Sequence, residues 1–554
     1  MPADGPTIKK RYLKAKEARH NFDDRWETMA PLIAPSRVGI ITRYEAGDDE
    51  SRGVYDSTMM AAAEMMANFI AGECFNPGQV WGSMHMAHPR VKDSKPVAEW
   101  LEECRDRMLA ARAASSFYAE APEMLVDYGG FGSGCLIVEE RPQPEHLTLR
   151  GFRGLHYETV KIGRFVIADG SDGLVDTLMR ERKQTARVAA DRWTEEAMPW
   201  VIRKALDEGR GDTPFTFLHA VQPRPKAEQG AGGKGMPWAS VWLELETAEV
   251  VSEGGFRSFN AAVPRYERTP GEVYGRGRGD LAFPDAWTLN AAKRLSLEDW
   301  PMKIRPPILG QNDSVFGTLR IHPGAFTPIN TRGRDIRSVI MPFDTGSKPE
   351  VSQIKEEELR QSIREIFFVD SIRQLLTVNK SEMTAFEYAK KIELLYRLMG
   401  PVYGRMRREF LSREWDITFD LMLEGGAFSP PPPEVYESDG KIEVGFENPL
   451  ERAQKTGGLE ALALALQDLG PYAQIDPGVL ERIDSDKASK YVCETRGVPA
   501  RILRTDDELA ERRAAQAKQQ QNAAALQEAQ HVSEMAKNVA PLHKAMRQPA
   551  GTAA

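Results

Sequence analysis

Between Met59 and Ala71 nearly every position is apolar, and the two exceptions, Glu64 and Asn68, stand on one narrow stripe. That pattern predicts a helix wrapped by protein on most of its sides, with Asp56 or Ser57 as the N-cap and "NPG" at 76–78 as the stop. Glu64, Asn68 and Glu73 interrupt the run before it reaches the ~20 apolar residues of a bilayer span. The helix therefore reads as a packing rod inside something large.

Residues 7–33 form a charged amphipathic pattern that predicts one helix ending near "APSR". Helical text continues through "PVAEWLEECRDRMLAARAAS" and "SFYAEAPEMLVDYGGFGSG", where glycines end it. Short β-rich runs follow: "CLIVEE", "LTLRGF", "RFVIADGSDGLVDTLMRER", "FTFLHAVQ" and "VWLELETAEVV". Gly, Pro and Asp turns separate them, so they predict an antiparallel sheet in an α+β domain. "ADGSDG" reads as a hairpin turn; as a calcium loop it lacks the twelfth-position acid, since Arg180 stands there.

From Leu281 the periodicity turns helical. "FPDAWTLNAAKRLSLEDW" opens with Pro284 and Asp285 and halts at Pro301 or at Pro306-Pro307. A turn-rich interval, 303–348, leads to a capping box of Ser347 and Glu350 and a helix running to about Leu376. After a break at "TVNKSEM", a second box, Thr384 with Glu387, starts a long helical run over 385–424, bent or split at Gly400-Pro401 and stopped by "SPPPPE". One strand, "KIEVGFE", a helical block from Pro449 to about Ala500 and an Ala/Gln-rich tail after a third box, Thr505 with Glu508, complete the chain.

With 554 residues, 41% hydrophobic and 28% charged, the chain has the composition of an ordinary folded protein of two to four domains. Its N-terminus shows no apolar core of a secretory signal, so a cytoplasm-like compartment and no membrane association are expected. Cys74, Cys104, Cys135 and Cys493 are far apart and form no CxxC pair, which predicts buried thiols rather than disulfides or a zinc site. A net charge of −8 is wrong for a protein that grips nucleic acid over its whole surface.

The motifs that suggest enzymes fail in detail. "GAGGKG" at 230–235 lacks the Ser or Thr that follows the lysine of a phosphate loop. "YGRGRGD" at 274–280 is a single copy before a helix, where glycines permit close backbone approach. His85 and His88 have no third ligand at suitable spacing. Neither a nucleophile elbow nor a catalytic dyad stands out, so neither catalysis nor a cofactor or metal is expected.

Several segments in order carry a resemblance: "YDSTMMAAAEMMANFIAGECFNPGQVW", "PGEVYGRGRGD" leading into "LNAAKRL", "PPIL", "HPGAF", "MTAFEYAKKIELLYRLMGPVYGRMRREFL", "NPLERAQK" and "IDSDKASKYVCETRGVPARILRTDDELAERR". Together, over roughly residues 7–515, the chain resembles the portal proteins of short-tailed bacteriophages, also called head-to-tail connectors. The resemblance implies an α+β portal fold assembling as a ring of about twelve subunits at one capsid vertex. Its parts would be a wing over 1–280, stem helices at 281–302 and 349–376, a clip at 303–348, and a tunnel loop, long helix and wing strand over 377–448. A helical crown at 449–504 and a barrel or frayed helix at 505–554 would follow. The implied partners are double-stranded phage DNA passing without sequence recognition, the terminase large subunit, a tail adaptor protein, and the major capsid and scaffolding proteins. The implied location is the virion's head-tail junction, after assembly in the host cytoplasm.

In a ring of about twelve such subunits the charge multiplies to about −96, and a mostly acidic or neutral wall repels phosphate so that DNA slides. Positive rings would steady the duplex. The resemblance puts Lys380 at the tip of the tunnel loop, where the bland reading is a solvated loop lysine. Arg360, Arg364 and Arg373 either face DNA or pair with Glu356, Glu357, Glu365 and Asp370 on the helix surface. Residues 303–348 carry a local basic excess, densest at "TRGRDIR". Arg320, Arg332, Arg334 and Arg337 there either dock acidic partners, the packaging motor and then the tail adaptor, or pair across the subunit interface. The rival classes are a scaffold or minor capsid protein, which predicts sustained heptads, and a nucleic-acid-processing enzyme, which requires a phosphate loop or a metal-binding acid cluster.

Overall fold

A computed structural model of the chain describes residues 4–41, 53–88, 94–141, 151–230, 232–311, 321–329, 341–342, 349–377, 400–437, 441–446, 449–475, 483–496 and 508–523, with a few single residues besides. It divides into two compact units: residues 1–84, 103–430 and 443–457 form one, and residues 85–102, 431–442 and 458–554 the other. The architecture mixes helix and sheet, as an α+β chain does.

In the larger unit the run expected as one helix over 7–33 is two, α1 (Gly5–Ala18) and α2 (His20–Ile33). Arg19 turns the chain between them. Its side chain is buried, ion-paired to Asp23, and donates to the carbonyls of Phe165 and Gly163. A guanidinium that must satisfy its donors on another element fixes the direction of the backbone that carries it.

The Met/Ala run forms α3 (Thr58–Cys74), with Ser57 at the N-cap position and the Asp56 carboxylate accepting from the Thr58 N–H at 2.9 Å. Met59, Ala62, Ala63, Met66, Ala67 and Ile70 are buried, while Ala61, Glu64, Asn68 and Gly72 are exposed. One side of the rod is therefore open within the subunit.

Strand β1 (Gly82–Met86), helix α4 (Lys95–Ala113) and helix α5 (Phe117–Phe131) follow. Helix α5 ends at Gly132, in the left-handed region with φ +90°. Strands β2 (Leu136–Glu140) and β3 (Leu155–Thr159) pair antiparallel. The main sheet is antiparallel throughout, in the order β4 (Phe165–Asp169), β5 (Val175–Thr185), β6 (Pro214–Pro223), β7 (Trp238–Glu244) and β8 (Val250–Phe256). "ADGSDG" makes the β4–β5 hairpin, with Gly173 at φ +75°. Helices α6 (Ala186–Arg192) and α7 (Trp200–Asp207) cross between β5 and β6.

Strand alternation explains how both faces of this sheet are covered. Leu218 and Ala220 join Ile8 and Tyr12 of α1 on one face. Phe217 joins Ala189 and Ile202 of α6 and α7 on the other. Strand β9 (Ala261–Ala262) completes the β2–β3 sheet, a pairing that no periodic pattern announces.

Helix α8 (Arg278–Ile304) starts before the expected Pro284, and Pro284 and Pro301 lie inside it. The Asp280 carboxylate accepts from the Gly277 N–H at 2.8 Å and closes the first turn. The "YGRGRGD" glycines do allow close approach, because a Cβ on Gly279 would lie 2.2 Å from the Gly130 carbonyl oxygen. Short strands β10 (Ile308–Gln311), β11 (Phe326–Ile329) and β12 (Met341–Pro342) form a small sheet in which β10 and β11 are parallel. The helix expected over 349–376 is two, α9 (Pro349–Ile366) and α10 (Val369–Thr377). Phe368, at φ +60°, separates them. Beyond come α11 (Gly400–Met406), a π-turn (Arg407–Leu411) and α12 (Ser412–Glu424), so the run expected over 385–424 carries an irregularity at Arg407–Leu411, while its part before Gly400, and with it the expected split there, lies outside the described residues.

Strand β13 (Ile442–Phe446), paired with β1, lies almost wholly in the larger unit, as does the start of α14 (Pro449–Ile475). The smaller unit takes α13 (Pro433–Glu437), the rest of α14 and α15 (Ser485–Thr495). Gly458 leaves room for the Tyr491 ring, whose hydroxyl lies where a Cβ would stand, and Arg513 grips Asp486 at 2.6 Å. Among the described residues no helix is long and apolar enough to cross a membrane. Cys74, Cys104 and Cys135 are buried and Cys493 half-buried, all as free thiols. Burial pushes the Cys74 and Cys135 thiols up, which keeps them protonated and inert.

Candidate channel and docking residues

Helices α8, α9 and α10 carry the described candidates, and one carboxylate ties the first two together. Glu356 accepts from Ser296 at 2.7 Å and from Ser352 at 3.3 Å, and pairs with Lys293 at 3.4 Å. Burial alone would raise this carboxyl, but the Ser296 hydrogen bond and the Lys293 charge outweigh it and hold it below its ordinary value. Ser362 donates to Asp285 at 2.6 Å and makes a second tie between α8 and α9.

Arg360 fastens α9 to the start of α3. Its Nε and Nη2 donate to Asp56 at 3.0 and 2.9 Å, and it also reaches Glu356 and Glu357. Burial pushes the Asp56 carboxyl up, but hydrogen bonds from Thr58 and Arg360 pull it further down, below its ordinary value. Asp56 thus caps one helix and anchors another.

Arg364 pairs with Glu357 at 2.6 Å and lies 3.8 Å from Asp370. Within the subunit, then, Arg360 and Arg364 are both paired to carboxylates. Arg373 is exposed on α10 and lines a cavity of about 200 Å³ with Thr58, Met65, Arg364 and Val369. Lys380 and the clip candidates Arg320, Arg332, Arg334 and Arg337 lie outside the described residues.

Sequence reasoning missed the α9–α10 junction. Phe368 adopts a conformation that bulky residues rarely take. The Arg278 guanidinium lies over its ring at 4.8 Å while donating to the Tyr266 hydroxyl at 2.9 Å. No periodicity signals such a break, because it depends on a partner ninety positions away in the chain. Asp56 was legible only as a cap; nothing local pointed to Arg360.

The lower part of α8 is unusually apolar for an exposed helix. Leu295 is 62%, Trp300 63% and Ile304 71% exposed, and Ile354 on α9 is 60% exposed. These large apolar side chains stand open on more than one side of the helix, which is surface left for other molecules to cover. Among the described residues no group of three His, Cys, Asp or Glu side chains is placed to hold a metal ion.

Comparison with known proteins identifies the family to which the chain belongs. The family model of the bacteriophage head to tail connecting protein matches residues 6–503. The chain is 24% identical over 523 residues to the probable portal protein of Bordetella phage BPP-1, covering 93% of this chain and 91% of that protein. It is 24% identical over 543 residues to the portal protein of Salmonella phage epsilon15, covering 96% and 95%. It also aligns with a chain from the virion of a native gene transfer agent particle at 13% identity, covering 79% of this chain and 91% of that one, with a TM-score of 0.32, too loose a superposition to carry any argument. A match that runs through both units and nearly the whole length makes this chain a member of the bacteriophage head to tail connecting protein family.

Proposed function

We propose that the chain is the portal subunit of a short-tailed bacteriophage: copies form a ring at one capsid vertex through which the genome is packaged and ejected. Membership of the connector family and near full-length similarity to two proteins named as portal proteins support this reading. The observation that carries the ring is the uncovered apolar surface of α8 and α9, Leu295, Trp300, Ile304 and Ile354, on helices already tied to each other through Glu356. Neighbouring copies are the surface that would bury it, and contacts between unlike faces of identical subunits form rings where the rotation between neighbours closes.

In this reading α8 and α9 are stem helices, residues 303–348 the clip and 449–504 the crown. Lys380 and Arg373 are the DNA-facing cations, with Arg364 contributing through its pairing with Glu357 rather than as a free charge. Arg320, Arg332, Arg334 and Arg337 form the clip surface that meets the terminase large subunit and later the tail adaptor. The ring has about twelve subunits, and its net acidic character keeps DNA from sticking to the wall.

Negative-stain images of the purified full chain test the reading. Rings with a central aperture are expected, and a particle without an aperture at micromolar concentration would end it.

A further inference from the structure

The open side of α3 has features that the subunit itself leaves unexplained. Met65, Phe69 and Ile372 floor a groove of about 680 Å³, rimmed by Glu64, Asn68 and Glu73. Glu73 Oε2 is buried yet has no hydrogen-bond partner among the described residues. Its carboxyl is pushed up by desolvation with no cation to offset it. Gly72 lies on the same exposed stripe, and a Cβ there would meet no atom within 4 Å. A glycine inside a helix costs about 1 kcal/mol relative to alanine. No contact among the described residues requires it, so this stripe of the helix is open space.

We infer that this groove is the seat for a second copy of the chain, which inserts apolar side chains over Met65 and Phe69 and presents a lysine or arginine to Glu73. The inference rests on the ring reading and deepens it by naming one of the contact surfaces. DNA does not fit the seat, because Glu64 and Glu73 repel phosphate and an apolar floor offers it nothing. A protein with apolar and basic groups side by side does fit. A second copy has such a pair on its surface: exposed Trp200 carries Lys204 at 6.0 Å from its ring, with the ammonium 3.9 Å from Glu208 at the helix end. Groove and projection are unlike surfaces, so the contact is heterologous and propagates around a ring.

Two measurements on the full-length chain test this. The photo-crosslinker benzoylphenylalanine is placed at Asn68, and isotopically heavy and light chains are mixed before assembly. Irradiation is expected to give covalent dimers and a ladder of higher species, with heavy–light pairs in the mapped peptides. Crosslinks found only within one chain assign the groove to the chain's own residues and overturn the inference. In the second measurement, Gly72→Phe fills the groove without touching the fold, and Gly72→Ala leaves it open. Native mass spectrometry is expected to show the assembled fraction falling about tenfold for Gly72→Phe, equivalent to ~1.4 kcal/mol, and unchanged for Gly72→Ala. Rings of Gly72→Phe as abundant as wild type overturn the groove while leaving the ring reading standing; a wild-type chain that stays monomeric overturns both.

Discussion

Arg112 and Glu414, 302 positions apart in the chain, form a buried bidentate ion pair, with Nε to Oε1 at 2.8 Å and Nη2 to Oε2 at 3.0 Å. Neither side chain is more than 1% exposed. Tyr157 donates to the same carboxylate at 2.8 Å, and the guanidinium lies 4.1 Å from the Trp415 ring and 5.0 Å from Trp81. This cluster joins α4, β3 and α12 within the larger unit.

Removing one member of such a pair leaves the other charge buried alone. Glu414→Ala is expected to lower stability by about 3–5 kcal/mol. The double variant Arg112→Met/Glu414→Leu, which removes both charges, should recover most of that loss. Urea midpoints of the three proteins check it; equal losses for the single and double variants would contradict the account.

The Asp56 and Glu356 ties between α3, α8 and α9 depend on pH with a definite sign. Both carboxyls are held below their ordinary values of 3.8 and 4.5 in the folded chain. Their contribution is therefore complete above those values and is lost as pH falls through the depressed folded ones. Asp56→Asn is expected to cost about 1–3 kcal/mol at pH 7. The difference from wild type should shrink steadily below about pH 4. Thermal melts of both proteins from pH 7 to pH 3 provide the comparison, and a difference that grows toward acid would refute it.

Gly132 and Gly209 separate two costs of adding a methyl group. Both have positive φ, +90° and +72°. A Cβ on Gly132 would stand 2.4 Å from the Arg276 carbonyl carbon and 2.5 Å from the Gly275 oxygen, whereas one on Gly209 meets nothing within 4 Å. Gly209→Ala should therefore cost only the backbone term, about 1 kcal/mol. Gly132→Ala, which must also push apart the α5 end and the α8 start, should cost more, about 2–4 kcal/mol. Denaturation midpoints in the opposite order would show that the close approach is misread.

Charge reversals sort the proposed channel and clip residues. Arg373→Glu and Lys380→Glu are expected to leave rings intact and reduce packaged DNA per particle severalfold, more so at low salt. Arg364→Glu should act mainly on stability, because it places a third acid beside Glu357 and Asp370. The triple change Arg332→Glu/Arg334→Glu/Arg337→Glu should leave rings intact while weakening terminase binding. An in vitro packaging assay with a terminase pull-down reads all of these; unchanged packaging by Lys380→Glu and Arg373→Glu together would remove both from the channel.

Much of the architecture was legible in the chain, for local reasons. Apolar spacing identified α3, and β-rich runs set off by Gly, Pro and Asp turns identified the strands at Leu136, Phe165, Phe217 and Trp238, whereas Leu155–Thr159 lay beyond the run expected there. The glycines of "ADGSDG" and "YGRGRGD" marked a hairpin and a close approach, since only that residue type tolerates those conformations and distances.

By itself, then, the sequence determined the kinds of elements, most of their places, the α+β class and the family resemblance. Only the tertiary structure decided that Arg19 breaks the first helix, that Phe368 under Arg278 breaks another, that Asp56 belongs to Arg360, and that one side of α3 stays open. The reason is physical: periodicity records the faces a segment must bury, but it carries no address for the partner. Charges buried hundreds of residues apart find each other only when packing brings them within reach.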